Sequence, residues 1–294
     1  MNKLLILILI FISNILIPVY AKEQIKIIVP YTAGGLSDKL ARQLQTYLVN
    51  DEYDFVVENR VGAGGLIGTQ SIVDEKSKPL LLVSGQAIVS NYVLGNAKYD
   101  VDKDFTFLSC LITDTTVLVS NSAGDIKEFQ DLYSSSKLSV AYGTSGIGTV
   151  QHMLSPIIAG KDKKQIEIPF KGAPEVANAL LAGTIDWYVD NLTIVSPLID
   201  SGKFRILASN QKLKKYPNVP TFKELNIDIH GFKSKQLFVA NNNITPQLKA
   251  YIEKKLVDKQ FTNLLESAGY ESCVNSKPAS SLATEKELIK KLLK

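Results

Sequence analysis

The stretch "IKIIVPYTAGGLSD", Ile25 to Asp38, runs a short β-branched segment into a Gly-Gly turn, and a helical pattern starts at once. A strand, a glycine turn and a helix in that order leave the first N–H groups of the helix unpaired where the strand ends. Those donors and the helix dipole both favour negative charge, so such a turn usually receives an anion. No nucleophile, metal-binding cluster or Walker-type lysine accompanies this one. The stretch predicts an α/β fold and an anion seat with no reaction beside it.

The same unit recurs along the chain. After the strand at 25–29, Leu40, Ala41, Leu44, Tyr47 and Leu48 mark one face of an amphipathic helix, with Ser37 or Asp38 at its cap or in its first turn. Strands follow at 55–57 and 80–83, the second ending at Ser84-Gly85-Gln86, with "NRVGAGGLIGTQ" turning into a helix between them. A helix is expected over 126–133. Then "KLSVAYGTSGIGTVQHM", "IEIPFKGAPEVANALLAG" and "TIDWYVDNLTIVSPLIDSG" each read as strand, turn and helix. Two long extended runs, Phe105 to Asn121 and Phe232 to Asn241, bracket this middle block and suggest two crossings between domains. The expected architecture is α/β, with two open, mainly parallel sheets joined by two crossover strands. Residues 22–118 and 233–294 would form the first domain and 119–232 the second.

Composition excludes several classes. A formal charge of +4, with no basic block interleaved with aromatics, argues against a nucleic-acid partner. Residues 1–21, "MNKLLILILIFISNILIPVYA", read as a cleaved secretory signal: Lys3, an apolar run broken at Ser13 and Asn14, and small residues at Val19 and Ala21. The competing reading, a membrane anchor, needs a longer apolar stretch, and no cysteine follows Ala21 to carry a lipid. Cys110 and Cys273 match no metal or redox spacing and both fall in the outer segments. In an exported chain they either pair or stand as two buried thiols. His152 and His230 have no Cys, Asp or Glu at ligand spacing, so no metal or other cofactor is expected.

Two glycine motifs invite enzymatic readings. "GAGGLIG", Gly62 to Gly68, has Ile67 where a dinucleotide fingerprint needs its third glycine. "GTSGIG", Gly143 to Gly148, has Ile147 where a nucleophile elbow needs glycine after Ser145. Both read better as tight strand-to-helix turns. Lys171, Asp190 and Asn191 are equally legible as solvent or cap residues and as ligand contacts. At least three such turns point helix N-termini toward one end of their sheets, where open α/β sheets bind ligands.

"VPYTAGGLSDKLARQL" and "VVENRVGAGGLIGTQ", with "YDVDKDF", "IPFKGAPE", "VDNL", "SGKFRILA" and "PNVPTFKEL" further on, resemble the solute-binding proteins of tripartite tricarboxylate transporters, the Bug-type receptors. The resemblance spans almost the whole chain after residue 21. It implies a two-domain, type II-like periplasmic-binding-protein fold that captures a small carboxylate and delivers it to transmembrane permease subunits. It also implies a monomer without catalytic residues. The implied ligand contacts are Tyr31, Thr32, Ala33, Gly34, Gly35, Ser84, Gly85 and Gln86 in the first domain. In the second they are Gly143, Thr144, Ser145, Gly146, Thr149, Phe170, Lys171, Gly172 and Asp190. A sensing receptor of the same fold and an exported hydrolase acting through Ser145 are the competing functions. N-terminal sequencing of the exported protein should begin at Lys22; an intact or lipidated leader would refute the signal assignment.

Overall fold

The computed structural model describes residues 22–161, 164–229, 232–274 and 282–293. The expected leader and His230 lie outside the described residues. Chain order begins β1 (Glu23–Val29), α1 (Leu36–Leu48), β2 (Tyr53–Asn59), α2 (Leu66–Asp74), β3 (Leu80–Gly85) and α3 (Ala87–Val93). β1 pairs in parallel with β2 on one side and β3 on the other, so α1 and α3 start at the same, carboxyl edge of this sheet. α1 forms where the apolar spacing predicts it: Leu40, Ala41, Leu44 and Leu48 are buried, packed in one cluster with Phe55, Phe238, Ile252 and Phe261.

β4 (Phe105–Asp114) lies in this sheet and β5 (Thr116–Asn121) in the next, with Thr115 alone between them. The second sheet adds α4 (Asp131–Ser134), β6 (Val140–Thr144), α5 (Val150–Ala159), β7 (Gln165–Pro169), α6 (Ala173–Leu181), β8 (Trp187–Asn191), α7 (Leu192–Asp200) and β9 (Phe204–Ser209). The chain returns through β10 (Ser234–Asn241) to α8 (Pro246–Leu256), α9 (Lys259–Ser267), β11 (Glu271–Ser272) and α10 (Leu282–Leu292). Strand order is β11-β4-β10-β3-β1-β2 in the first sheet and β7-β6-β8-β5-β9 in the second.

Three expectations need correction. Residues 116–118 pair with β8 and β9 in the second sheet rather than ending the first domain; the extended run carries no turn residue to mark the switch. The sheets are parallel only in β2-β1-β3 and β7-β6-β8, whereas β10, β4, β11 and β5 pair antiparallel. Parallel neighbours need a helical crossover, and the strands that carry the chain between sheets have none. The helix expected over 126–133 is confined to α4, because the Asp131 carboxylate accepts the N–H groups of Lys127 (2.7 Å) and Glu128 (2.9 Å) and holds them in a turn.

The return segment is locked to the first sheet at several points. The Asn241 amide donates to Ile72 O (3.1 Å) and its oxygen accepts Leu80 N–H (3.1 Å). Buried Glu285 on α10 accepts from Gln86 Nε2 at 2.6 Å and pairs with Lys235 of β10. Cys110 on β4 and Cys273, just after β11, form a disulfide with Cα atoms 5.5 Å apart across a sequence separation of 163 residues. The bridge closes a long loop of the unfolded chain, so reduction, or paired Cys→Ser replacement, should lower unfolding free energy by about 2–4 kcal/mol. Urea melts with and without reductant measure this; unchanged midpoints would deny the bridge a stabilising role.

Candidate ligand cleft

Between the sheets lies a cavity of about 70 Å³. A single water needs about 10–15 Å³ of such space, so the cavity suits a small solute and not a peptide. The N-cap residues of five helices line it: Gly35 of α1, Gln86 of α3, Thr149 of α5, Gly172 of α6 and Asn191 of α7. Each helix brings the positive end of its dipole, although some first-turn N–H groups are already taken: Leu192 N–H of α7 by Thr115 O at 2.8 Å and His152 N–H of α5 by Thr149 Oγ1 at 3.2 Å. Among the described residues no Lys, Arg or His lines the cavity. Its positive potential therefore comes from backbone.

The loop after β1 is braced from behind. Asp38, buried in the first turn of α1, accepts Gly34 N–H (2.9 Å), Asn59 Nδ2 (3.0 Å) and the Arg42 guanidinium (2.9 Å). Burial opposes its charge, but Arg42, Gly34 N–H and Asn59 outweigh that and hold the carboxyl below the usual range. Asn59 also donates to Tyr31 O at 3.0 Å. The Tyr31 hydroxyl faces Ser84 Oγ at 3.3 Å, and burial pushes this phenol up to about 12, so it remains neutral at physiological pH.

On the opposite wall, Ser145 Oγ lies 3.4 Å from Thr149 Oγ1 and 3.3 Å from Gln151 Oε1. His152 Nδ1 accepts Gly148 N–H at 3.4 Å, and its Nε2 lies 3.8 Å from Glu167 Oε1, beyond hydrogen-bond range. His152 is thus not poised to take a proton from Ser145, which is the geometry a serine nucleophile requires.

The walls touch at three places where a glycine permits close approach. A side-chain carbon at Gly64 would fall 1.6 Å from Ile147 O, at Gly148 2.4 Å from Asn91 Oδ1, and at Gly172 2.3 Å from Thr32 Oγ1. Ser90 Oγ also donates to Gly148 O across the gap. "GAGGLIG" thus ends a strand and, through Gly64, meets the second sheet's turn.

Of the residues named from the sequence, Tyr31, Thr32, Gly35, Gly85, Gln86, Ser145, Thr149, Gly172 and Asp190 line the cavity. The rest do not, and their groups are spent elsewhere. Gly34 N–H serves Asp38, Ser84 faces Tyr31, and Thr144 Oγ1 donates to Glu167 at 2.7 Å. Gly143 packs against Ile185 and Val176, and Gly146 against Gly64. Phe170 N–H donates to Thr144 O at 2.8 Å, and Ala33 and Lys171 are exposed outside the cavity. Gln86 lines the wall, but its side chain turns to Glu285, Lys233 O and Lys235 N–H. Sequence reasoning left Asn191 open between cap and ligand contact, and it missed Ser37, Gln151, Ser234 and Gln236 as polar lining residues. Ser37 Oγ donates to Gln236 Oε1 at 2.6 Å, a pairing across 199 positions that no local pattern announces.

Three lining atoms, Thr32 Oγ1, Asp190 Oδ2 and Asn191 Oδ1, are buried without a hydrogen-bond partner among the described residues. Buried polar atoms are normally satisfied, so these mark where a ligand or water completes the site.

Residues 40–291 match the sequence model of the tripartite tricarboxylate transporter family receptor. The chain is 32% identical to protein BugT of Bordetella pertussis over 242 residues, 76% of this chain and 74% of that protein. The fold is that of periplasmic binding proteins. It superposes on BugD with a TM-score of 0.79 at 22% identity, covering 93% of this chain and 96% of the other. It superposes on the Rhodopseudomonas palustris protein MatC, solved with bound malate, with a TM-score of 0.75 at 20% identity, covering 92% and 96%. The R. palustris protein Rpa4515, solved with adipate, gives 0.81 at 21% identity, covering 93% and 97%. The chain belongs to the tripartite tricarboxylate transporter receptor family, a class of solute-binding receptors.

Gly172 offers a clean test of closure, because its backbone is extended (φ −174°), a conformation any residue adopts, while a side-chain carbon there meets first the Thr32 side chain of the facing wall. Gly172→Ala should leave the fold intact and weaken ligand binding at least tenfold by holding Thr32 away. Calorimetry with a thermal melt as the folding control measures it; unchanged affinity would mean that this contact is not part of the bound state.

Proposed function

We propose that the protein is a periplasmic receptor that closes on a small carboxylate and hands it to the permease subunits of a tripartite tricarboxylate transporter, acting as a monomer and catalysing no reaction. The observation that carries this reading is the convergence of five helix N-caps on a small cavity without cationic side chains. Backbone N–H groups recognise a carboxylate by geometry and partial charge, and Thr32, Ser145, Thr149 and Asn191 add neutral polar atoms around them. Malate in MatC and adipate in Rpa4515 set the chemical range to try first. The disulfide suits an oxidising compartment such as the periplasm. The permease partnership rests on family membership.

Gly35 has an ordinary φ of −72° and only Thr32 O, at 3.5 Å, near a side-chain carbon placed there. Gly35→Asp therefore adds a like charge at the cavity without backbone strain, and binding of malate and adipate should be abolished. Ser145→Ala should cost no more than about 1–2 kcal/mol, the worth of one hydrogen bond to a charged partner. Calorimetry on the folded variants checks both. Binding indifferent to Gly35→Asp would move the site elsewhere, and ester turnover abolished by Ser145→Ala would make the protein a hydrolase.

A further inference from the structure

One group in the cleft does not suit a plain anion seat. Asp190, near the end of β8, is 2% exposed and lines the cavity. Its Oδ1 accepts Asn191 N–H at 2.8 Å, and its Oδ2 has no partner among the described residues. Gln151 of α5 and Tyr188 of β8 stand beside it as weak donors that favour its charge, but neither is aligned as a full partner of Oδ2, and the Tyr188 hydroxyl is itself buried without one among the described residues. Val117 of β5 pairs with it across the sheet. The charged group acting on it is a second buried carboxyl, Asp114 at the end of β4, itself influenced by Glu271 of β11. Tyr31 is the other titratable residue lining the cavity, and it is neutral. Among the described residues no cationic side chain lines the cavity.

An ionised Asp190 would be buried with half of its charge unpaired, and it would repel the carboxylate that five helix N-termini attract. A protonated Asp190 removes both difficulties. Its Oδ2–H becomes a donor on a residue that lines the cavity, and a carboxylic acid facing a carboxylate makes a charge-assisted O–H···O bond. We propose that Asp190 is a specificity-determining residue that holds a proton in the bound state and donates it as a hydrogen bond to one carboxylate oxygen of the solute. Receptors whose Asp190 is ionised before the encounter must then take one proton from solvent as they bind, so capture is coupled to pH. This rests on the reading of the cleft as a carboxylate site.

The titration places the coupling in an accessible range. Burial, partly offset by Asn191 N–H, and the charge of Asp114 push Asp190 up to about 7, and burial pushes Asp114 up to about 6. Folded Asp190 therefore keeps its proton below about pH 7 and must regain it on binding above that. Affinity should fall with rising pH, approaching tenfold per unit above about pH 7. Malate and adipate are themselves fully ionised there, their carboxyls titrating near the ordinary range of about 4–5, so ligand titration does not imitate the effect.

Titration calorimetry with malate and adipate at pH 7, 8 and 9, in two buffers of different ionisation heat, reads both affinity and proton uptake. Wild type should bind at least tenfold more weakly at pH 9 than at pH 7, with uptake approaching one proton. Asp190→Asn keeps a donor but cannot titrate: its affinity should be flat with pH and exceed that of wild type at pH 9 by at least tenfold. A thermal melt of the variant in each buffer controls for folding. Wild-type affinity that is constant from pH 7 to 9 without proton uptake would overturn the proposal while leaving the carboxylate site standing. A folded Asp190→Asn that fails to bind at every pH, with aspartate preferred to malate by wild type, would overturn it in favour of an ionised Asp190 facing an ammonium group. Failure of both acids to bind wild type at any pH would refute the carboxylate reading and this proposal together.

Discussion

Everything in this molecule depends on where five helices begin. An α-helix leaves its first N–H groups without intrahelical partners, and those groups need an acceptor. Here five N-termini share one cavity between the two sheets. The arrangement follows from parallel pairing: in β2-β1-β3 and β7-β6-β8 the chain always leaves a strand at the same edge and turns into a helix there. Setting those two edges face to face creates an anion site from backbone alone, which explains the absence of cationic side chains on its walls.

A backbone site must be held by something other than the residues that bind, and the protein meets this with buried side chains behind the walls. Asp38 fixes the turn after β1 through Gly34, Asn59 and Arg42. Gln86 and Glu285 join the turn after β3 to the return strand and the C-terminal helix. Glu167 engages Thr144 at the end of β6. Several residues expected to meet the ligand are therefore occupied by the scaffold. Hydrogen bonds to charged, buried partners are strong and directional, which suits groups whose task is to hold a loop in place.

The two crossings supply the remaining constraint. β4 passes to β5 through Thr115, and β10 is the strand with which the chain re-enters the first sheet, so the chain crosses between the sheets twice. The walls meet through glycines at Gly64, Gly148 and Gly172, where backbone approaches side chain or backbone too closely for a Cβ. One apolar cluster contains residues of both halves, among them Ile28, Leu82, Val150 and Trp187. The low-dielectric interior between the walls strengthens electrostatic contacts made there.

The sequence by itself determined the α/β units, the buried face of α1, the turns that carry N-caps Gly35, Thr149 and Gly172, and both extended crossings. Those are local properties: apolar period, glycine placement and β-branched runs act over a few residues and can be read along the chain. Tertiary structure alone decided that the sheet changes at Thr115, that Ser37 meets Gln236, and that Cys110 meets Cys273. It also decided which polar atoms remain unspent. Ser84, Thr144 and the Gln86 side chain looked as available in the sequence as Thr32 and Asp190 did, yet the first three are engaged by neighbours, while Thr32 Oγ1 and Asp190 Oδ2 have no partner among the described residues. The physical reason is that a side chain's freedom to bind depends on partners brought close from distant positions, and no spacing along the chain encodes that.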